Sequence, residues 1–211
     1  MVRFKYFEAP ENEMTGLLEG IRECSICGES GRCFQLDCAD PESLPDACLK
    51  DGVGCYTCLR KGRFEFFHTT EIGYLFASGP EYLGPELEEE EVTIVSPQGE
   101  PVGMDVAPPV ERPTVPGHSA IELRRTPGFP TWNEVDWLVH CGDFMVFLGP
   151  WQPIDFNRQA ENGLGKDVFL SSVDSCHSDF WPADSSSNWE VCCFVFRCTK
   201  CGSLRAVVDH S

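Results

Sequence analysis

The sequence predicts an α+β chain, rich in β-structure, built as two small modules with short antiparallel sheets and an acidic, proline-rich connector between them. Three observations lead there. CxxC pairs stand near both ends of the chain, apolar β-prone runs flank tight turns, and the composition changes abruptly between residues 78 and 117. The boundaries read as 1–78 for the N-terminal module, 79–118 for the connector and 119–211 for the C-terminal module.

A chain of 211 residues is long enough to bury a real core. Its hydrophobic fraction of 42% excludes wholesale disorder. Acidic residues outnumber basic ones 34 to 16, for a formal charge of -18. That balance argues against a general nucleic-acid binder, whose affinity comes mostly from Lys and Arg neutralising phosphates. It fits a solvated acidic surface, or a protein steered electrostatically to a basic partner. The first residues carry charges throughout and lack the apolar stretch of a signal peptide, and no run reaches the length of a membrane span. A cytoplasmic location is the expectation. In a reducing compartment the 13 cysteines read as metal ligands or free thiols before disulfides.

In the N-terminal module, residues 2–7 alternate well enough for a short strand, which Ala9-Pro10 ends. Random placement of the cysteines would give roughly 0.8 CxxC pairs, yet the chain has three. Cys24/Cys27 is followed directly by Gly28, which suits a tight turn whose amides face thiolate sulfurs; Cys55/Cys58 follows later. Together the two pairs read as one four-cysteine structural site, with zinc the default ion because it takes four thiolate or imidazole ligands in a tetrahedron. Cys33, Cys38 and Cys48 have no regular spacing and read as core or loop thiols. A thioredoxin-like role for Cys55/Cys58 lacks the strand-then-helix entry such a motif requires. Residues 63–77 carry many aromatics and supply a strand and part of the core, with His68 a packed or surface residue rather than a ligand.

The connector holds the run of Glu86, Glu88, Glu89, Glu90 and Glu91, followed by six prolines. Within it, residues 92–106 form a hairpin, since Pro-Gln-Gly-Glu makes a turn. The glutamates read either as a solvated face or as a contact for a basic partner.

The C-terminal module opens with Ser119 as a helix N-cap and Glu122 at the capping-box position. Two apolar runs, 135–139 and 144–148, then flank Cys141-Gly142-Asp143, as two strands joined by a tight turn. Residues 155–162 make a short helix. Near the end a β-prone strand, the Cys198/Cys201-Gly202 turn and a return strand describe half a zinc ribbon. Its missing ligands are expected from His140 and Cys141, with Cys176 or His177 as the next candidates for the fourth position. Successive strand residues point to opposite faces, so His140 and Cys141 can bind together only where a strand ends. Trp132 and Trp137 are expected as core around that corner. Cys192 and Cys193 read as core thiols on opposite faces of their strand.

Arg125-Thr126-Pro127-Gly128-Phe129, then Trp132, Trp137, His140-Cys141-Gly142-Asp143 and Phe147-Leu148-Gly149, resemble the signature of the CbrC family. Cys24/Cys27-Gly28, Cys55/Cys58-Leu59, the Cys198/Cys201-Gly202 turn and the late Val208-Asp209 sit in the same order, although that family usually has Pro after the cysteine corresponding to Cys55. The resemblance implies an association with tolerance to a DNase-type colicin. From it follows the expectation of a non-enzymatic immunity-type protein, with two structural zinc ions and no direct nucleic-acid contact. Its acidic surface, Glu86, Glu88, Glu89, Glu90 and Glu91 first, would meet the basic cleft of a nuclease toxin. Two other classes compete. A zinc enzyme would need an open site, with His140, Cys141 and Asp143 cast in it and Asp143 as base. A nucleic-acid-binding zinc ribbon would use Arg197, Lys200 and Arg205 on phosphate.

Overall fold

Strand β12 (Cys192–Arg197) explains most of the architecture. Its run Cys-Cys-Phe-Val-Phe is apolar at every position, the pattern of a strand buried on both faces. A computed structural model describes residues 3–44, 51–75, 91–95, 101–106, 115–133, 135–160, 163–182, 189 and 191–210, and shows that burial directly. β12 lies at the centre of an antiparallel sheet between β11 (Val146–Trp151) and β13 (Leu204–Asp209). Phe194 and Phe196 point into a larger core, while Cys193 and Val195 point into a smaller one on the other face. Cys192 packs against the larger core, so the two adjacent cysteines do face opposite ways.

The smaller core is closed by a helical pair, α3 (Pro153–Gln159) and α4 (Gly165–Ser172), whose Phe156 and Phe169 meet edge-to-face at 5.5 Å. α3 starts at Pro153, two residues before the expected helix, because Gln152 and Asp155 form a capping box ahead of it.

The larger core draws on both ends of the chain, from Phe4, Tyr6 and Phe7 to Phe194, Phe196 and Cys198. Phe129 stacks on Phe147 at 4.0 Å and touches the rings of Trp137, Phe194 and Phe196. The two predicted modules thus share one core. Complete burial of a Phe side chain such as Phe147 is worth about 1.5–3 kcal/mol relative to exposure.

Short antiparallel ribbons surround this centre. β1 (Arg22–Glu23) pairs with β2 (Ser30–Gly31), β3 (Cys33–Gln35) with β4 (Val53–Cys55), and β5 (His68–Thr70) with β6 (Gly73–Leu75). The short helix α1 (Tyr56–Arg60) follows β4 directly. In the connector β7 (Glu91–Val95) pairs with β8 (Pro101–Val106), the expected hairpin. Glu86, Glu88, Glu89 and Glu90 lie outside the described residues, as does Cys48, and Glu91 is placed only as the first backbone position of β7.

Three expectations need correction. The strand expected at 2–7 is a single parallel bridge, in which Phe147 N–H donates to the Tyr6 carbonyl at 2.8 Å and Glu8 N–H to the Phe147 carbonyl at 2.9 Å. Helix α2 (Gly117–Arg124) begins before Ser119, with Pro116 in the capping position, and Ser119 is buried inside it. Trp132 is 65% exposed, whereas Trp137 is buried and donates its indole N–H to the Met145 carbonyl at 2.8 Å. Among the described residues no helix is long and apolar enough to cross a membrane.

Candidate metal centres

Two groups of four ligand atoms assemble among the described residues. Each group's atoms lie within 4.8 Å of one another. The first is Cys24, Cys27, Cys55 and Cys58; the second is His140, Cys141, Cys198 and Cys201.

In the first, the β1–β2 ribbon presents Cys24 and Cys27 on a knuckle closed by Gly28 N–H donating to the Cys24 carbonyl at 2.8 Å. Gly28 has φ 75°, a left-handed conformation that glycine adopts without steric cost. Cys55 ends β4 and Cys58 sits in α1, so the strand-then-helix entry is present, contrary to the expectation from sequence. The sulfurs nevertheless pair across the site: Cys24 to Cys58 at 3.8 Å and Cys27 to Cys55 at 3.7 Å. A tetrahedron with metal–sulfur arms of about 2.3 Å has sulfur–sulfur edges of about 3.8 Å. These separations fit that figure and are far from a disulfide. Cys33 is excluded from the group, its sulfur turned to the carbonyls of Gly31 and Arg22.

The second group answers the objection raised by strand alternation. β9 (Val139–His140) and β10 (Asp143–Phe144) are joined by a two-residue turn, with His140 paired to Asp143. Both turn residues have positive φ, 54° at Cys141 and 69° at Gly142, as a type I′ hairpin turn requires. His140 is the last strand residue and Cys141 leaves the strand, so their side chains converge. His140 Nδ1 stands 3.3 Å from Cys141 Sγ and 3.4 Å from Cys201 Sγ, and the two sulfurs are 3.9 Å apart. The β12–β13 turn repeats the first knuckle: Gly202 has φ 77° and its N–H donates to the Cys198 carbonyl at 3.0 Å. Cys176 and His177 stay outside the group, on a 3₁₀ turn at Ser175–Phe180. His177 instead lines a cavity of about 220 Å³ with Glu71, Asp136, Asp174 and Arg205.

The electrostatics of both groups call for a cation. Burial raises the Cys24 thiol, but the amides of Cys55, Cys27 and Ile26 outweigh it and bring the group to about 7. Cys55 and Cys58 are pushed up, first by burial and then by neighbouring sulfurs. In the second group the Ser203 hydroxyl and amide bring Cys201 down to about 6, and hydrogen bonding with Cys201 in turn raises Cys141. Crowded thiolates oppose one another's ionisation, and a divalent ion among them removes that opposition outright. All eight residues can therefore serve as metal ligands, and the donor sets Cys₄ and Cys₃His suit one ion each.

Three carboxylates make long-range hydrogen bonds and ion pairs that the sequence does not announce. Asp143, beside the second turn, accepts from Tyr6 at 2.6 Å and from Lys5 at 3.0 Å. Burial would raise its carboxyl, but those two donors hold it below the usual carboxylate range. Asp209 accepts from the Trp132 amide at 2.7 Å and the Asn133 side chain at 2.6 Å. Glu65 receives both Arg124 and Arg125, at 2.9 and 3.1 Å. No local pattern marks such pairs, because the partners lie 59 or more residues apart.

A family model matches residues 1–210, and its description is "Uncharacterised protein family (UPF0167)". The chain belongs to the UPF0167 family. This finding replaces the CbrC resemblance, since both the family model and the named relatives carry the UPF0167 name. UPF0167 proteins of Mycobacterium bovis and Mycobacterium tuberculosis are each 31% identical over 101 residues, covering 42% of this chain and 49% of theirs. The chain spans about half the length of these curated relatives. No solved structure matches.

Proposed function

We propose that this UPF0167 chain is a non-catalytic binding protein, braced by two structural zinc ions, that neutralises a nuclease toxin by direct contact. The observation that carries the non-catalytic reading is the closure of both clusters by four protein side chains. A tetrahedral ion so held has no position for water or substrate, whereas catalytic zinc keeps one open. Zinc is the ion these donors favour, because thiolate and imidazole in tetrahedral array select it over harder cations. In this reading each half of the chain carries a zinc-knuckle unit, one on β1–β2 and one on β12–β13, and the shared core joins them.

Charge is what supports a basic protein partner. At a formal -18 the chain suits a basic protein surface, such as the cleft with which a nuclease grips phosphates. The acidic run at Glu86, Glu88, Glu89, Glu90 and Glu91 is the proposed contact. The residues that favoured nucleic acid are engaged elsewhere: Arg197 pairs with Glu8 at 2.6 Å, Arg205 with Glu71 at 2.7 Å, and Lys200 donates to the Cys141 carbonyl at 2.7 Å. Asp143, the base that an enzyme would need, is held by Tyr6 and Lys5.

X-ray absorption on the purified chain tests the first half of the proposal. Two zinc ions, each with four protein ligands and no water, support it; an oxygen ligand from solvent overturns it. Titration of the zinc-loaded chain into a purified nuclease toxin tests the second half, with stoichiometric loss of cleavage expected. Replacing the five glutamates with Gln should slow association and flatten its salt dependence, and unchanged kinetics would remove the run from the interface.

A further inference from the structure

The two clusters meet solvent differently. Cys24, Cys55 and Cys58 are buried and Cys27 is half-buried, whereas Cys141 and Cys201 are exposed. The exposed sulfurs lie 3.9 Å apart, one on the β9–β10 turn and the other on the β12–β13 turn. Bringing them to a disulfide length of about 2.05 Å asks for a shift of about 2 Å between two turns. Their neighbour Cys198 is not available in the same way, being buried with the Lys200 amide donating to its sulfur at 3.4 Å. The Ser203 hydroxyl stands 3.2 Å from Cys201 Sγ, and the Lys200 ammonium is held at the Cys141 carbonyl. Two solvent-exposed sulfurs this close to each other have the access that oxidation by a small peroxide needs.

We propose that Cys141 and Cys201 form a redox site, at which a hydroperoxide converts the pair to a disulfide and expels the metal while the buried cluster keeps its ion. This rests on the zinc reading of the second cluster. One thiolate attacks the peroxide, breaking the O–O bond and forming a sulfenic acid, with the leaving oxygen taking a proton from solvent. The second thiolate displaces hydroxide from that sulfur and forms the S–S bond. The two sulfurs together give up two electrons, which reduce the peroxide. For hydrogen peroxide, two thiolates and two protons become one disulfide and two waters. With two of four ligands consumed, His140 and Cys198 cannot retain the ion at the same affinity. The disulfide joins residues 60 apart in sequence, so the hairpin stays tied to the knuckle after the ion has gone. A dithiol then restores the ligands.

The test uses the full chain, loaded with zinc, with metal content measured first. Hydrogen peroxide is added in steps, released zinc is followed with a chromogenic chelator, and cysteines are mapped by non-reducing mass spectrometry. The expected result is release of one of two ions, a linked Cys141–Cys201 peptide, and intact thiols at Cys24, Cys27, Cys55 and Cys58. Dithiothreitol with added zinc should restore two ions. Cys176→Ser, which removes an exposed thiol outside both clusters, should behave as the parent chain. Simultaneous loss of both ions, a Cys198–Cys201 link, or over-oxidised sulfurs without a linked peptide would overturn the proposal. A chain carrying one ion before peroxide is added, at Cys24, Cys27, Cys55 and Cys58, would overturn the zinc reading of the second cluster and the release step with it.

Discussion

Cys141 combines two demands that seldom fall on one residue. It has φ 54°, a region costing a side-chain-bearing residue roughly 1–2 kcal/mol, and it is also a ligand candidate. A turn built on Gly or Asn would be less strained, so the residue type is explained by its place in the ligand group and not by the hairpin. Cys141→Ser should therefore lower metal content from two ions to one and lower the melting temperature with it. Loss of function with full metal and an unchanged melting temperature would point back to chemistry at this corner. His68 makes a different prediction. Burial drives its ring down to about 4 from 6.5, and it meets Trp137 edge-on at 5.3 Å while hydrogen-bonding the Thr126 carbonyl at 2.9 Å. Because the folded state resists protonation here, the unfolded state binds more protons below pH 6.5. Stability should fall as pH drops from 6.5 and this contribution should level off below about 4, for a total of about 3 kcal/mol. His68→Gln should remove that slope in chemical denaturation between pH 6.5 and 4; an identical slope would show that other groups cause it. The sequence set His68 apart from the ligands without deciding between a packed and a surface position, and it carried no sign of the hydrogen bonds to Asp143 and Asp209, because their partners come from distant segments.

At the scale of elements, the legible features were those with short-range causes. CxxC followed by Gly announced both knuckles, because a left-handed residue must close so tight a turn. The apolar run of β12 announced a strand, and Pro-Gln-Gly-Glu the hairpin of β7 and β8. The beginning of α2 was misplaced because Ser119 is a good cap by type, yet its position under Tyr6 and Asp143 needs it buried within the helix. Trp132 was misjudged because an aromatic in a Pro-Gly-rich loop gives no local sign of which way the loop faces. The burial of β12 on both sides makes its central ring costly to lose. Phe196→Ala should destabilise the chain by about 3–5 kcal/mol, read from denaturant midpoints at unchanged m-value. A loss below 1 kcal/mol would mean that the larger core does not depend on this strand.

At the scale of the whole molecule, both clusters are anchored in the same core, which includes Cys24, Cys55, Cys58 and Cys198. Two independent modules would melt in two steps and lose metal without reference to each other. A shared core predicts one cooperative thermal transition for the loaded chain. It also predicts that stripping the exposed site with a mild chelator lowers the midpoint of the entire transition. Calorimetry before and after chelation measures this, and a second, unaffected transition would restore the picture of separate modules. The sequence pointed to two modules because its cysteine pairs stand at opposite ends. It carried no local sign that Phe7 reaches Phe147, 140 residues away, to close a common core.

The placement of β12 also fixes a timetable for synthesis. Cys24, Cys27, Cys55 and Cys58 all precede β12 by more than a hundred residues, so all four ligand candidates are made before that strand is. Neither core can close until residues 192–197 are made, more than a hundred residues after Cys58. A metal ion bound by the first group would tie residues 24–58 together before the core that buries them exists.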